Sequence, residues 1–255
     1  MSEDGNAISQ VAVEAFKTAY EDAFAPAAKQ VGKAGDTLGR AVNVALMPVQ
    51  AVVWSFEQIG EYVKAKVFEK LEKRKTSPED VQVPDPDIAV PSVEALRYSK
   101  MKDEFANLLA SSMDKNSAAH AHPSFVEILK QITPDEAKVL RQFQHPLQGL
   151  PFITLRLVAK NGGHNDFPGY LSRLAQDSEI DCPSRFSEYI DNLVRLRLIS
   201  IPPGQQLNDD KAYKALEELP THLDKAIGDD LLLKKLRGVF HLTQFGFTFR
   251  RICID

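Results

Sequence analysis

The chain has 255 residues, of which 44% are hydrophobic and 26% charged, and a net charge of −4. These are ordinary globular values, sufficient for one large domain or two small ones, and they exclude a chain that binds nucleic acid through overall charge. Two cysteines, Cys182 and Cys253, exclude a disulfide framework and point to a reducing, cytoplasmic setting.

Charge is balanced at both ends, with ten basic and ten acidic side chains in residues 1–75 and sixteen of each in residues 132–255, so the excess acid lies between them. The opening MSEDGNAISQ has neither the basic nor the apolar region of a secretory signal. Ile8, Val11, Ala15, Phe16, Ala19, Ala23 and Phe24 recur at helical spacing and predict a first helix, which Pro26 interrupts. A stretch rich in small residues follows, containing Gly32, Gly35 and Gly39, and then sixteen uncharged residues between Arg40 and Glu57. Pro48 lies inside that run and should break a helix there. A second helix is expected over residues 49–74 on a seam of Val52, Phe56, Ile59, Val63, Val67 and Leu71. Its terminal Glu-Lys-Arg-Lys run places cations at the end that the helix dipole favours.

Residues 76–92, with Pro78, Pro84, Pro86 and Pro91, read as an extended, solvated linker and the boundary between domains. Helices resume at Val93, with Leu96, Phe105, Leu108, Leu109 and Met113 on one buried face and Phe125, Ile128, Leu129 and Ile132 on another. Thr133-Pro134-Asp135-Glu136 is a capping-box pattern. Residues 152–158 alternate as a strand does, and Asn161-Gly162-Gly163 reads as a turn. Ser184 is placed to cap a helix carrying Phe186, Ile190, Leu193 and Leu196; Ile199-Ser200-Ile201 and Val239–His241 read as strands, and 245–254 as a short helix.

The expected fold is therefore mainly α, with a helical N-terminal part followed by a small α+β, winged-helix-like part. The expected division is a helical hairpin region over 1–75, the linker 76–92, a helical region over 93–145 and the winged-helix-like domain over 146–255. An excursion over 207–236 stands where the wing tip would be.

Three stretches together resemble a bacterial family, Abi-alpha, whose name refers to abortive phage infection. The first runs from Ala25-Pro26-Ala27-Ala28-Lys29 to Gly39 and through residues 41–54. The second joins Glu94-Ala95-Leu96-Arg97-Tyr98 to residues 105–110 and Met113-Asp114. The third joins residues 122–128 to Pro134-Asp135-Glu136-Ala137. The resemblance covers residues 20–145 well and the C-terminal part loosely, through 189–199 and 242–246. It implies a bacterial protein with a role in phage defence, and it brings no enzymatic motif with it.

No catalytic, cofactor or metal site is read from the residues. His120 and His122 stand two apart and point in different directions on a helix, so with Asp114, His145 and His164 they do not make metal spacing. Cys182 lies in Asp-Cys-Pro with no base beside it, and neither a Gly-x-Ser-x-Gly elbow nor a P-loop is present. The uncharged run is too short for a bilayer span. Its small residues suit close packing against a partner or in lipid, which makes Gly35, Gly39, Leu46, Val49, Val53 and Trp54 the candidate partner or membrane residues. Arg185, Arg195 and Arg197 are the candidate nucleic-acid contacts, weakened by Glu188 and Asp191 on the same helix. The expected function is non-enzymatic phage defence through a protein partner, self-association or peripheral membrane contact, in a cytoplasmic protein that reaches the membrane on activation. The alternative is a nucleic-acid-binding regulator.

Overall fold

The computed structural model describes residues 18, 20–23, 26, 27, 29, 37–53, 56–219 and 230–255. The helix expected over residues 8–24 lies mostly outside them. The chain forms two compact units, Met1–Gln131 with Arg251–Asp255, and Ile132–Arg250.

In the first unit the uncharged run folds as two short helices, α1 (Leu38–Ala45) and α2 (Met47–Val52). Thr37 caps α1 by accepting from the Arg40 amide, and Pro48 sits in the first turn of α2, where its missing amide donor is harmless. Helix α3 (Phe56–Lys73) buries Val63, Val67 and Leu71 at four-residue spacing. Its end is a Schellman turn: the Thr76 amide donates to the Leu71 carbonyl and the Lys75 amide to Glu72, with Lys75 at φ 59°.

The proline-rich tract is not an extended, solvated spacer. Pro78–Asp80 forms a single 3-10 turn, Val81 bridges to Asp114, and Pro86 opens helix α4 (Pro86–Leu96), capped by Asp85. Val81, Val83, Ile88, Ala89 and Val93 are buried. Four prolines suggest an extended spacer, but Pro86 stands in a helix's first turn, where proline is preset for the helix. The boundary between units falls instead after Gln131.

Helix α5 (Lys102–Met113) is the centre of this unit, and every residue from Glu104 to Met113 is buried. Ala106, Ala110, Ser111 and Ser112 let neighbouring backbones approach. Asn107 and Ser112 are satisfied within the unit: Asn107 Nδ2 donates to the Cys253 carbonyl at 3.0 Å, and Ser112 Oγ donates to Leu109 O at 2.7 Å. Helix α6 (Ser124–Gln131) packs on α5.

The second unit begins with α7 (Pro134–Arg141), and its capping box is complete, Thr133 and Glu136 each bonding the other's backbone amide. Strand β1 (Gly149–Ala159) turns at Gly162 (φ 88°) into β2 (His164–Leu171). Then come α8 (Leu174–Asp177), α9 (Phe186–Arg195), β3 (Ile199–Ser200), α10 (Asp210–Glu217), β4 (Leu231–Leu242) and α11 (Gln244–Phe249). The antiparallel sheet has the order β2-β1-β4-β3. Strand β2 went unread because its sequence carries Pro168 and Gly169; at a sheet edge a proline breaks no ladder. Ser184 does not cap α9, since a 3-10 turn over Pro183–Arg185 precedes the helix and Arg185 holds the cap position without a side-chain bond. The core joins β1, β2 and β4: Phe152 stacks on Phe240 at 4.3 Å, and Tyr170 meets both rings edge-on. Across from Phe152 stands Gly238, where any Cβ would collide with the Phe152 ring.

Candidate functional site

Helices α1 and α2 carry the partner or membrane residues read from the sequence. Leu46 and Val49 are 0% exposed and Val53 is 4% exposed. Gly39 is half-buried, and a Cβ there would touch only the Phe68 ring at 3.9 Å, an ordinary contact. Gly35 and Trp54 lie outside the described residues. The segment is a buried layer of the first unit, facing α3 and α4. Among the described residues, no helix is long and apolar enough to cross a membrane.

The three candidate nucleic-acid arginines are not gathered. Arg185 stands at the start of α9 and Arg195 at its end, roughly 15 Å apart at 1.5 Å per residue. Arg185 forms an ion pair with Glu188 at 2.8 Å and lies over the Tyr189 ring. Arg195 donates to Asn192 Oδ1 at 3.0 Å. Arg197 lies beyond the helix at φ 60°, its carbonyl accepting from Thr243 Oγ1.

The buried carboxylates of α7 have structural partners. Asp135 accepts from the amides of Asp181 and Cys182 at 2.9 and 3.1 Å and from the Tyr189 hydroxyl at 3.1 Å, with Lys138 at 3.4 Å. Burial pushes its carboxyl up, and these donors together outweigh burial and hold it below the ordinary aspartate value. Glu136 accepts from Asn192 Nδ2 at 2.6 Å. Both acids tie α7 to α9, and Asp135 also to the segment leading into it. Cys182 is exposed, and Cys253 is buried, its thiol pushed up by burial, the reverse of an activated nucleophile. Among the described residues, no three His, Cys, Asp or Glu side chains cluster as metal ligands.

Sequence reasoning missed a polar pocket of about 490 Å³ in the first unit. The last turn of α3 supplies Lys70, Lys73 and Arg74; α5 supplies Asn107 and Ser111; the following loop supplies Asp114, Asn116, Ser117 and His120; and the returning C-terminal turn supplies Arg251 and Ile252. Arg74 donates to Ser111 Oγ at 2.8 Å and to the Asn107 carbonyl at 3.4 Å, and burial lowers its pKa. Its bonded partners are thus neutral. The only sequence signal was the Glu-Lys-Arg-Lys run, read as a dipole complement, and nothing linked it to Arg251, far along the chain. In the second unit a pocket of about 540 Å³ is lined by Gln142, Gln148, Leu150, Arg173 and Lys211, among others.

Fold and sites together define a helix-dominated protein of two units, with a C-terminal antiparallel sheet, buried carboxylates in structural roles and a cationic pocket in the helical unit. The family model described as Abortive infection alpha matches residues 59–253, and the chain belongs to that family. No curated protein matches the chain, and no solved structure does. The family's name points to abortive infection.

Proposed function

We propose that this protein limits phage infection without catalysing a reaction, through regulated contact with a protein partner, in its folded form. The observation that carries the choice of partner over membrane is the burial of the uncharged segment. Membrane contact requires Val42, Leu46, Val49 and Val53, all at most 4% exposed, to leave the core. At roughly 1.5–3 kcal/mol for each such side chain, release costs about 6–12 kcal/mol. That is on the order of the whole stability of a domain, about 5–15 kcal/mol. A partner that reads the folded surface needs no such release.

The second reading, a nucleic-acid-binding winged helix, rests on the sheet: β3 follows α9, and the strands lie in the order β1-β4-β3, with β2 and α10 as additions. The pairing of Arg185 with Glu188 weakens it.

The test is phage plating on cells expressing the full chain, with membrane potential followed by dye during infection. Reduced plating while the potential holds until lysis is the expected result. Depolarisation that precedes growth arrest favours the membrane, and unchanged plating across a broad phage panel defeats the defence reading. A salt-sensitive gel shift on duplex DNA by the full chain would establish the second reading instead.

A further inference from the structure

The pocket at the end of α3 has a charge pattern that the fold does not require. A helix C-terminus favours nearby cations, which explains Lys70 and Lys73. It does not explain Arg251, which arrives from the other end of the chain, nor Arg74, which is half-buried against neutral acceptors. The Lys73 and Arg251 side chains form no hydrogen bond or ion pair among the described residues. Among the described residues, Lys70 pairs with Asp103 alone, at 3.9 Å. Arg74 has five N–H groups and spends two on Ser111 and Asn107.

Two acids stand against four cations and offset only part of the charge, Asp114 favouring the charged form of Arg74. Asp114 is buried, and its oxygens accept from Thr76 Oγ1 at 3.1 Å, the Asn116 amide at 3.0 Å and Asn116 Nδ2 at 3.1 Å. Asp255 lies on the rim. What remains open to the cavity is a set of donors: Lys70, Lys73, the spare Arg74 groups and Arg251, with His120 at the edge. Hydrogen bonds tie the walls together. Ser111 Oγ lies 2.8 Å from Asn107 O and 3.0 Å from Ile252 O, and Asn107 Nδ2 holds the Cys253 carbonyl, so α5 fixes the turn that carries Arg251.

We infer that this pocket binds the phosphate group of a small ligand, with Lys73, Arg74 and Arg251 as the clamp. A tetrahedral dianion offers enough oxygens for all three, and Arg in particular matches phosphate in two-bond geometry. The cavity, about 490 Å³, has room for a phosphate ester as large as a mononucleotide. This inference goes beyond the partner reading and stands or falls separately, because it concerns a ligand rather than phage restriction.

The experiment is thermal unfolding and calorimetric titration of the full chain with inorganic phosphate, adenosine monophosphate, adenosine, and sodium chloride at matched ionic strength. Saturating phosphate or its ester should raise the melting temperature by several degrees, since a ligand bound only to the native state stabilises it. Adenosine and chloride should not. Lys73→Ala and Arg251→Ala, at exposed positions that leave the core untouched, should each weaken binding about tenfold or more. Binding of free phosphate alone identifies an inorganic anion as the ligand; tighter binding of the monophosphate identifies an ester. The inference is overturned if no phosphate compound binds, if chloride stabilises equally, or if a variant carrying both Lys73→Ala and Arg251→Ala binds as the wild type does.

Discussion

Asp135 shows how one side chain holds distant segments together. Its carboxylate is held below the ordinary aspartate value of 3.8, so its contribution is present at neutral pH and is lost as acidification protonates it. Asp135→Asn should destabilise the protein by about 1.5–3 kcal/mol at pH 7, the range for hydrogen bonds to a charged group. Denaturant titrations at pH 7 and below pH 3.8 check this: the gap between wild type and variant should narrow at the lower pH. Gly246 is a steric case. A Cβ there would collide with the Leu198 backbone carbonyl, which itself accepts from the Thr243 amide at 3.0 Å. Gly246→Ala should therefore cost about 3 kcal/mol or more, seen as a lowered melting temperature, because backbone cannot rotate aside.

At the level of elements, α10 is fastened to β4 by Tyr213. This side chain is fully buried; its hydroxyl donates to the Gly238 carbonyl at 2.9 Å and accepts from the Leu207 amide at 3.0 Å. Tyr213→Phe keeps the packing and strands both partners, and should cost about 1–3 kcal/mol in equilibrium unfolding. Arg237 adds ion pairs to Glu217 and Asp210 on the same helix. Helix α1 offers the opposite test. Gly39 meets no close neighbour, so Gly39→Ala should stabilise by about 0.5–1 kcal/mol, by removing glycine's excess flexibility from a helix. If it destabilises instead, the first turn of α1 is packed more tightly than the 3.9 Å contact to Phe68 implies.

For the whole molecule, local patterns carried much of the architecture. The capping box at Thr133, the break at Pro48, the turn at Gly162, the strand alternation after Phe152 and the family itself were legible in the sequence, because each depends on neighbours a few residues apart. Where the units divide was not: prolines 78 to 91 signal a linker by composition, yet Val81 and Val83 are buried, and burial depends on what packs against a segment. Strand β2 was hidden for the same reason, since edge position rather than side-chain pattern admits Pro168. The cationic pocket was the least legible feature. Lys73 and Arg74 stand in a short basic run, but Arg251 joins them because Asn107, on a buried helix, donates to the Cys253 carbonyl, with the Ser111 hydroxyl 3.0 Å from the Ile252 carbonyl. The sequence by itself determined the capping box at Thr133, the turn at Gly162, much of the helical pattern and the kinship, which arise from short-range periodicity and backbone chemistry. Tertiary structure alone decided which charges share a cavity, because that juxtaposition comes from long-range hydrogen bonds and packing.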